Sequence, residues 1–343
     1  MPSPSARALL LDDPGFSRHT PLGHHPERPE RLLAARAAVD GARAHVDFSA
    51  VNAREASFEE LGRVHEASFL ESMEKRRGES RYLDPDTYLS EDSVTVAKLA
   101  AGGVVAMLDA MLDGPVHQGV ALVRPPGHHA RPGKAMGFCL FNNVAVAAAH
   151  ARARGLSRVA IVDFDVHHGN GTQEIFYRDP SVLYVSTHQA PLYPGTGDAT
   201  ETGDGDGRGF TVNVPLSAGG GDDVYRGAFE RVVLPVLSEF APELVLVSAG
   251  FDAAMRDPLS EMRLESNAFG WMTRALRGVA DASGAGRTML VLEGGYDLVA
   301  LEGGLLSAIR GLTGTAHEIA RDVDHPDLVR AARSAKEVWH GVG

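Results

Sequence analysis

Between Asp163 and Asn170 the chain reads Asp-Phe-Asp-Val-His-His-Gly-Asn, directly after the apolar run Val159-Ala160-Ile161-Val162. Side chains alternate between faces along extended backbone, so Asp163, Asp165 and His167 are expected to project the same way. Carboxylate oxygens beside an imidazole nitrogen suit a divalent ion such as zinc. The one cysteine, Cys139, excludes both an internal disulfide and a multi-thiolate metal site. Ligands must therefore come from His, Asp or Glu.

Three other apolar runs end in the same way. Gly119–Val123 leads into Arg124-Pro125-Pro126-Gly127-His128-His129, Leu244–Ser248 into Ala249-Gly250-Phe251-Asp252, and Thr288–Leu292 into Glu293-Gly294-Gly295-Tyr296. In an open parallel sheet, ligands bind beyond the carboxyl ends of the strands. The flanking glycines let backbone approach a ligand closely. Asp165, His167 and Asp252 would supply two carboxylates and one imidazole, leaving coordination positions for water and substrate, as in a catalytic zinc site. Of His128 and His129, one can accept a proton from water and one can hand a proton to a leaving amine. Tyr296 can donate to a developing oxyanion.

The elements that must position these groups alternate between strand and helix. Strands are expected over Gly119–Val123, Arg158–Asp163, Val182–Thr187, Phe210–Val214, Leu244–Ser248 and Thr288–Leu292. Their continuous hydrophobicity suits parallel strands covered on both faces. Helices are expected over Glu27–Val39, Ser90–Leu112 (capped by Ser90), from Asn142/Asn143 through Arg154 to a stop at Gly155, from Asp222/Asp223 through Phe240, and from Ser266 to near Gly284. This pattern predicts an α/β fold, a mainly parallel sheet with helices on both faces. No repeat or linker divides the 343 residues, so residues 1–343 read as a single domain.

Lys plus Arg number 33 against 45 Asp plus Glu, a formal charge of −12, which argues against a nucleic-acid-binding surface. Met1 to Leu11 holds an apolar run of four, too short for the core of a signal peptide. No stretch reads as a membrane span of roughly 20 apolar residues. A cytoplasmic protein is expected.

Arg124–Ala130, Gly137-Phe138-Cys139-Leu140-Phe141-Asn142-Asn143, Asp163–Gln173, Pro194-Gly195-Thr196-Gly197, Ser248–Asp252 and Glu293–Tyr296 together resemble the motifs of the histone deacetylase superfamily, over a core of about residues 21–312. Asn170 and the His-Pro-Glu-Arg run at His25–Arg28 resemble its class II branch, including bacterial histone-deacetylase-like amidohydrolases. The resemblance implies an arginase/deacetylase fold and zinc-dependent hydrolysis of an acyl-amide to a free amine and a carboxylate. It implies Asp165, His167 and Asp252 as zinc ligands. His129 would be the general base, with the acid role also open to it, oriented by Asn170. His128, bonded to Asp163, would act electrostatically, and Tyr296 would polarise the scissile carbonyl. Potassium is implied near Asp163, Asp165, His167, Ser186 and Thr187, and a second potassium near Phe176, Asp179, Val182 and Phe210. Gly137, Phe138, Tyr193, Leu259 and Gly295 align with the acyl-lysine tunnel, Phe138 and Tyr193 as its aromatic walls. Leu259 stands where polyamine-specific relatives place a glutamate. Arg28 aligns with an arginine lining an internal acetate channel in some relatives, and a surface salt bridge is the other reading of it.

The expected substrates are acylated lysines of peptides or proteins, or small acylated amines, with acetylpolyamines and metabolite amides as alternatives. A homodimer or homotetramer is implied by bacterial relatives. Asp84 and Asp86, in one of the rim loops (Asp12–His25 and Leu83–Leu89), read as solvated loop acids, with contact to a substrate amide or amine as the alternative. An arginase-like dinuclear site would need Asp-x-Asp where Gly250 and Asp252 stand. A non-catalytic acyl-amine sensor would not need His128, His129 and Tyr296.

Overall fold

Short apolar runs become an eight-stranded sheet in which every pairing is parallel. The computed structural model describes residues 6–314, 318 and 325–342, so Met1–Ser5 of the stretch read for a leader lie outside the described residues. In chain order the strands are β1 (Ala6–Leu11), β2 (Val46–Val51), β3 (Arg81–Tyr82), β4 (Tyr88–Leu89), β5 (Gln118–Ala121), β6 (Val159–Asp163), β7 (Val182–Gln189), β8 (Thr211–Leu216), β9 (Leu244–Ala249) and β10 (Thr288–Leu292). Among the described residues β3 and β4 pair only with each other, antiparallel. The rest lie in the order β2-β1-β5-β10-β9-β6-β7-β8. Every residue of β6, β7, β9 and β10 is buried, as two-sided helical cover requires.

All six expected strands are present, but β1, β2 and the two-residue β3 and β4 went unread. The first is interrupted by Arg7, and β2 is an edge strand whose burial alternates weakly. The helix expected from Glu27 begins at Glu30, because Glu27 is drawn into a buried ion-pair cluster. The helix expected from Ser90 runs Ser93–Asp113, with the Ser93 hydroxyl accepting from the Ser90 N–H. It is long and apolar enough by length and composition to cross a membrane, correcting the expectation of no such stretch, but 67% of its most apolar window is buried in the fold. Asn142 caps the Asn143–Ala153 helix as expected. The helical path Asp222–Phe240 is wound wider over Phe229–Val233, just ahead of Pro235, which lacks an N–H to continue the normal pattern. The Leu298–Leu312 helix also went unread; it crosses Ser266–Ala282 so closely that a Cβ on Gly311 would sit 2.1 Å from the Gly270 carbonyl oxygen.

Candidate active site

β5, β10, β9 and β6 are consecutive across the sheet, so the four polar segments leave neighbouring carboxyl ends. Asp163, the last residue of β6, pairs in register with Ser248 on one side and Ser186 on the other. Asp165 and His167 lie beyond the strand, and side chain-to-backbone bonds keep their alternation. The Asp165 N–H donates to Asp163 Oδ1 (3.2 Å), and the His167 N–H donates to Asp165 Oδ1 (2.9 Å).

Asp252 arrives from β9, and its Oδ1 accepts the Val166 N–H (2.9 Å). One ligand atom each from Asp165, His167 and Asp252 lies within 4.8 Å of the others, and all three residues are buried. His167 Nδ1 is 3.2 Å from both Asp165 Oδ1 and Asp252 Oδ2. Burial opposes charge on this ring, yet the two carboxylates outweigh it and raise His167 to about 10. A buried pocket that draws a proton so strongly also fits a cation, and metal and proton compete for the same lone pairs. The donor set therefore fits zinc.

Glycines shape the cradle. The Gly294 N–H donates to Asp165 Oδ2 (2.8 Å), and a Cβ on Gly294 would lie 2.1 Å from Asp252 Oδ2. A Cβ on Gly250 would lie 2.1 Å from Asp165 Oδ2, so this backbone leaves no room for the second carboxylate of a dinuclear site.

The two adjacent histidines are held differently. His128 Nδ1–H donates to Asp163 Oδ2 (3.0 Å), and His129 Nδ1–H donates to Asn170 Oδ1 (2.8 Å). Burial works against charge on both rings. At His128 the carboxylates of Asp165 and Asp163 overcome it and raise the pKa well above the usual histidine value. At His129 burial, reinforced by His128 and His167, lowers the pKa well below it. The His129 Nε2 lone pair is therefore free to take a proton.

A cavity of about 240 Å³ ends on these groups, lined by His129, His167, Tyr296, Gly137, Phe138, Tyr193, Leu192, Leu259 and Asp86. Gly137, at φ 56°, lies so close to the His129 ring that a Cβ would contact its Cδ2 at 2.5 Å. Phe138 is itself left-handed at φ 67°, an uncommon and strained conformation for a bulky residue. Gly295, at φ 114°, turns the chain into Tyr296, whose ring meets Phe138 edge-on at 5.7 Å. Tyr193 is 39% exposed at the mouth.

Of the two readings of Asp86, its place at the cavity suits the substrate-contacting one, although the residue stays partly exposed. The Asp84 carboxylate accepts its N–H (3.1 Å), His25 Nε2–H donates to its carbonyl (3.0 Å), and the residue lines the cavity. Arg31, rather than Arg28, occupies the interior beside Tyr296. It is fully buried, donates from Nε to the Gly295 carbonyl (2.7 Å) and from Nη2 to the Glu293 carbonyl, and lies 5.0 Å from the tyrosine ring centre. Asp257 was also missed. Its Oδ2 accepts the Tyr296 N–H (2.6 Å) and its Oδ1 the Leu259 N–H (3.0 Å), tying tunnel wall to tyrosine. The Glu293 carboxylate accepts the N–H groups of Gly127 (2.6 Å) and His128 (3.2 Å), joining the β10 turn to the histidine loop.

Of the residues expected to hold potassium, Ser186 and Thr187 lie on β7, and Thr187 Oγ1 is buried without a hydrogen-bond partner. In the second set, the Phe176 carbonyl accepts the Asp179 N–H (3.0 Å), the Phe210 carbonyl accepts the Tyr184 N–H (2.9 Å), and Val182 begins β7.

The histone deacetylase domain profile matches residues 25–312. Histone deacetylase 15 of Arabidopsis thaliana is 45% identical over 296 residues, spanning 84% of this chain and 53% of its own length. A histone deacetylase-like amidohydrolase of Pseudomonas aeruginosa is 44% identical over 296 residues, spanning 84% of this chain and 77% of its own. The chain thus spans about half the length of the plant relative. The crystal structure of the HDA15 HD domain superimposes with a TM-score of 0.90 at 39% identity, covering 98% of this chain and 97% of that one. The chain belongs to the histone deacetylase family, whose common activity is zinc-dependent deacetylation, and it has that family's arginase/deacetylase fold.

Proposed function

We propose that this chain hydrolyses the amide of an acylated amine, an acyl-lysine foremost, to a free amine and a carboxylate. The observation that carries this reading is the meeting of Asp165, His167 and Asp252 at the end of a narrow cavity also lined by His129 and Tyr296. These three residues would hold zinc, which when bound lowers the pKa of its water and polarises the substrate carbonyl. Phe138 and Tyr193 flank the methylene chain, and their apolar faces exclude water from it. His129 Nε2 takes the proton of the attacking water and delivers it to the departing amine. Tyr296 donates from its hydroxyl to the carbonyl oxygen as charge builds there. His128, paired with Asp163, supplies a fixed positive charge behind the reacting centre.

The same proposal takes residues 1–343 as one catalytic domain, cytoplasmic, working as a homodimer or homotetramer without nucleic acid or membrane. It includes potassium held by Asp163, Asp165, His167, Ser186 and Thr187, which the unpartnered Thr187 hydroxyl supports. A second potassium would use Phe176, Asp179, Val182 and Phe210. Metal analysis together with a fluorogenic acetyl-lysine peptide tests the core of the reading. One zinc per chain is expected, with hydrolysis abolished by a chelator and restored by zinc. Tight peptide binding without turnover would instead identify a sensor.

A further inference from the structure

Glu27 is completely buried and stands outside the reaction chemistry, yet its carboxylate meets three parts of the pocket wall. Arg124 donates from Nε to Oε1 (2.5 Å) and from Nη2 to Oε2 (2.8 Å), and its chain continues through Pro125-Pro126-Gly127 into His128 and His129. Arg31 donates from Nη1 to Oε1 (3.3 Å) while clamping the Glu293 and Gly295 carbonyls and covering the Tyr296 ring. The Tyr88 hydroxyl donates to Oε2 (2.9 Å); its ring abuts His25, which abuts the tunnel wall Phe138. Two buried guanidiniums share this one carboxylate. Removing it would leave both charges without their counter-ion, so the contacts are held strongly.

We infer that Glu27 is a positioning residue that aims the Tyr296 hydroxyl at the substrate carbonyl through Arg31, an inference that rests on the amidohydrolase reading. Arg31 has no conformational choice while its fork is divided between Glu27 and the two carbonyls of the Tyr296 turn. Loosening it at Glu27 frees the turn, while the zinc ligands keep the bonds that do not pass through it, from the Val166 N–H to Asp252 and from the His167 N–H to Asp165.

A double-mutant cycle between Glu27→Gln and Tyr296→Phe tests this on zinc-loaded protein with a short acetyl-lysine substrate. Tyr296→Phe should cost about 10²-fold or more in kcat. Glu27→Gln should cost about 10-fold in kcat, the scale of a small misplacement, with KM and zinc content unchanged. In the Tyr296→Phe background Glu27→Gln should cost almost nothing, since no hydroxyl is left to aim. A merely structural glutamate would give the same loss in both backgrounds, and that result overturns the inference. If Glu27→Gln does not fold, Glu27→Asp keeps the charge, and the same loss of effect in the Tyr296→Phe background is required of it. A wild-type protein without hydrolysis sinks the amidohydrolase reading; an active wild type with independent losses sinks only the role of Glu27.

Discussion

His129 donates from Nδ1 to Asn170 Oδ1 across 2.8 Å, so the ring that faces the tunnel is oriented by a neutral amide. The Asn170 amide is itself oriented, because its Nδ2 points toward Met136 Sδ at 3.5 Å. An amide fixes the tautomer and favours the imidazolium only weakly, so burial and the neighbouring His128 and His167 still hold the pKa down and leave Nε2 unprotonated.

Asn170→Asp should change that balance. A carboxylate in the same place favours the charged ring, so protonation would disable His129 at higher pH. The acid limb of kcat/KM should move up by about one pH unit or more, the usual effect of an opposite charge at contact distance. Activity near pH 6 should fall, and activity at pH 9 should approach wild type. An unmoved acid limb would remove His129 from the role of base.

Gly294→Ala separates the metal cradle from its ligands. Gly294 does not have a positive φ, so alanine meets no backbone penalty there. Its Cβ would nonetheless lie 2.1 Å from Asp252 Oδ2 and 2.6 Å from Asp165 Oδ2, forcing both carboxylates to move. Zinc affinity should fall about 10-fold or more, the scale for disturbing the groups that orient ligands, although every ligand remains. Asp165→Ala and Asp252→Ala should lose the metal outright by elemental analysis. Full zinc occupancy in all three variants would reject the assignment.

The strand ends were legible because parallel strands buried on both faces leave a simple signature, an apolar run followed by the groups the sheet presents. Asp165, His167 and Asp252 all came from that rule. Arg31 did not: a charged residue early in a helix is normally solvent-facing, and its partners, the Glu293 and Gly295 carbonyls, are more than 260 residues away. The role of Asp86 stayed open for a related reason. Loop acids are usually solvated, and only the long-range bond from His25 reveals that this loop folds back over the tunnel. Asp257 binds backbone N–H groups, which carry no side-chain identity to read. Local pattern therefore gives the chemistry, whereas the residues that aim it are known only from tertiary contacts.

Acid should weaken the fold through His65. This ring donates from Nδ1 to the Arg131 carbonyl (3.0 Å) and accepts the Asn142 N–H at Nε2 (3.0 Å), an arrangement only the neutral form allows. Burial lowers its pKa to about 4. The unfolded chain therefore takes up the proton first, near pH 6.5, and stability falls as pH drops from there toward 4. The full contribution is about 3 kcal/mol. Other buried neutral histidines, such as His168, titrate in the same window, so the test must be differential. His65→Gln can keep both hydrogen bonds but cannot titrate. Its urea midpoint should decline less steeply between pH 7 and pH 4.5 than that of wild type. Equal slopes would show that His65 is not part of the acid response.

Leu259 bears on substrate choice. Asp257 fixes its backbone beside Tyr296, and its half-buried side chain lines the tunnel opposite no charge of its own. Asp86 lines the same cavity whichever residue stands at 259, so its carboxylate is a constant background against which the wall residue is compared. With leucine at the wall, an acetylpolyamine must bring a second cationic centre past an apolar surface, whereas an acetyl-lysine peptide presents uncharged backbone there. Acetyl-lysine peptides should therefore be hydrolysed with higher kcat/KM than acetylspermidine. Leu259→Glu places a carboxylate where the second ammonium would pass, and should shift the ratio toward acetylspermidine by about 10-fold, equivalent to about 1.4 kcal/mol of differential transition-state binding. A wild-type preference for acetylspermidine, or a ratio indifferent to the substitution, would show that the rim loops rather than Leu259 decide which amine enters.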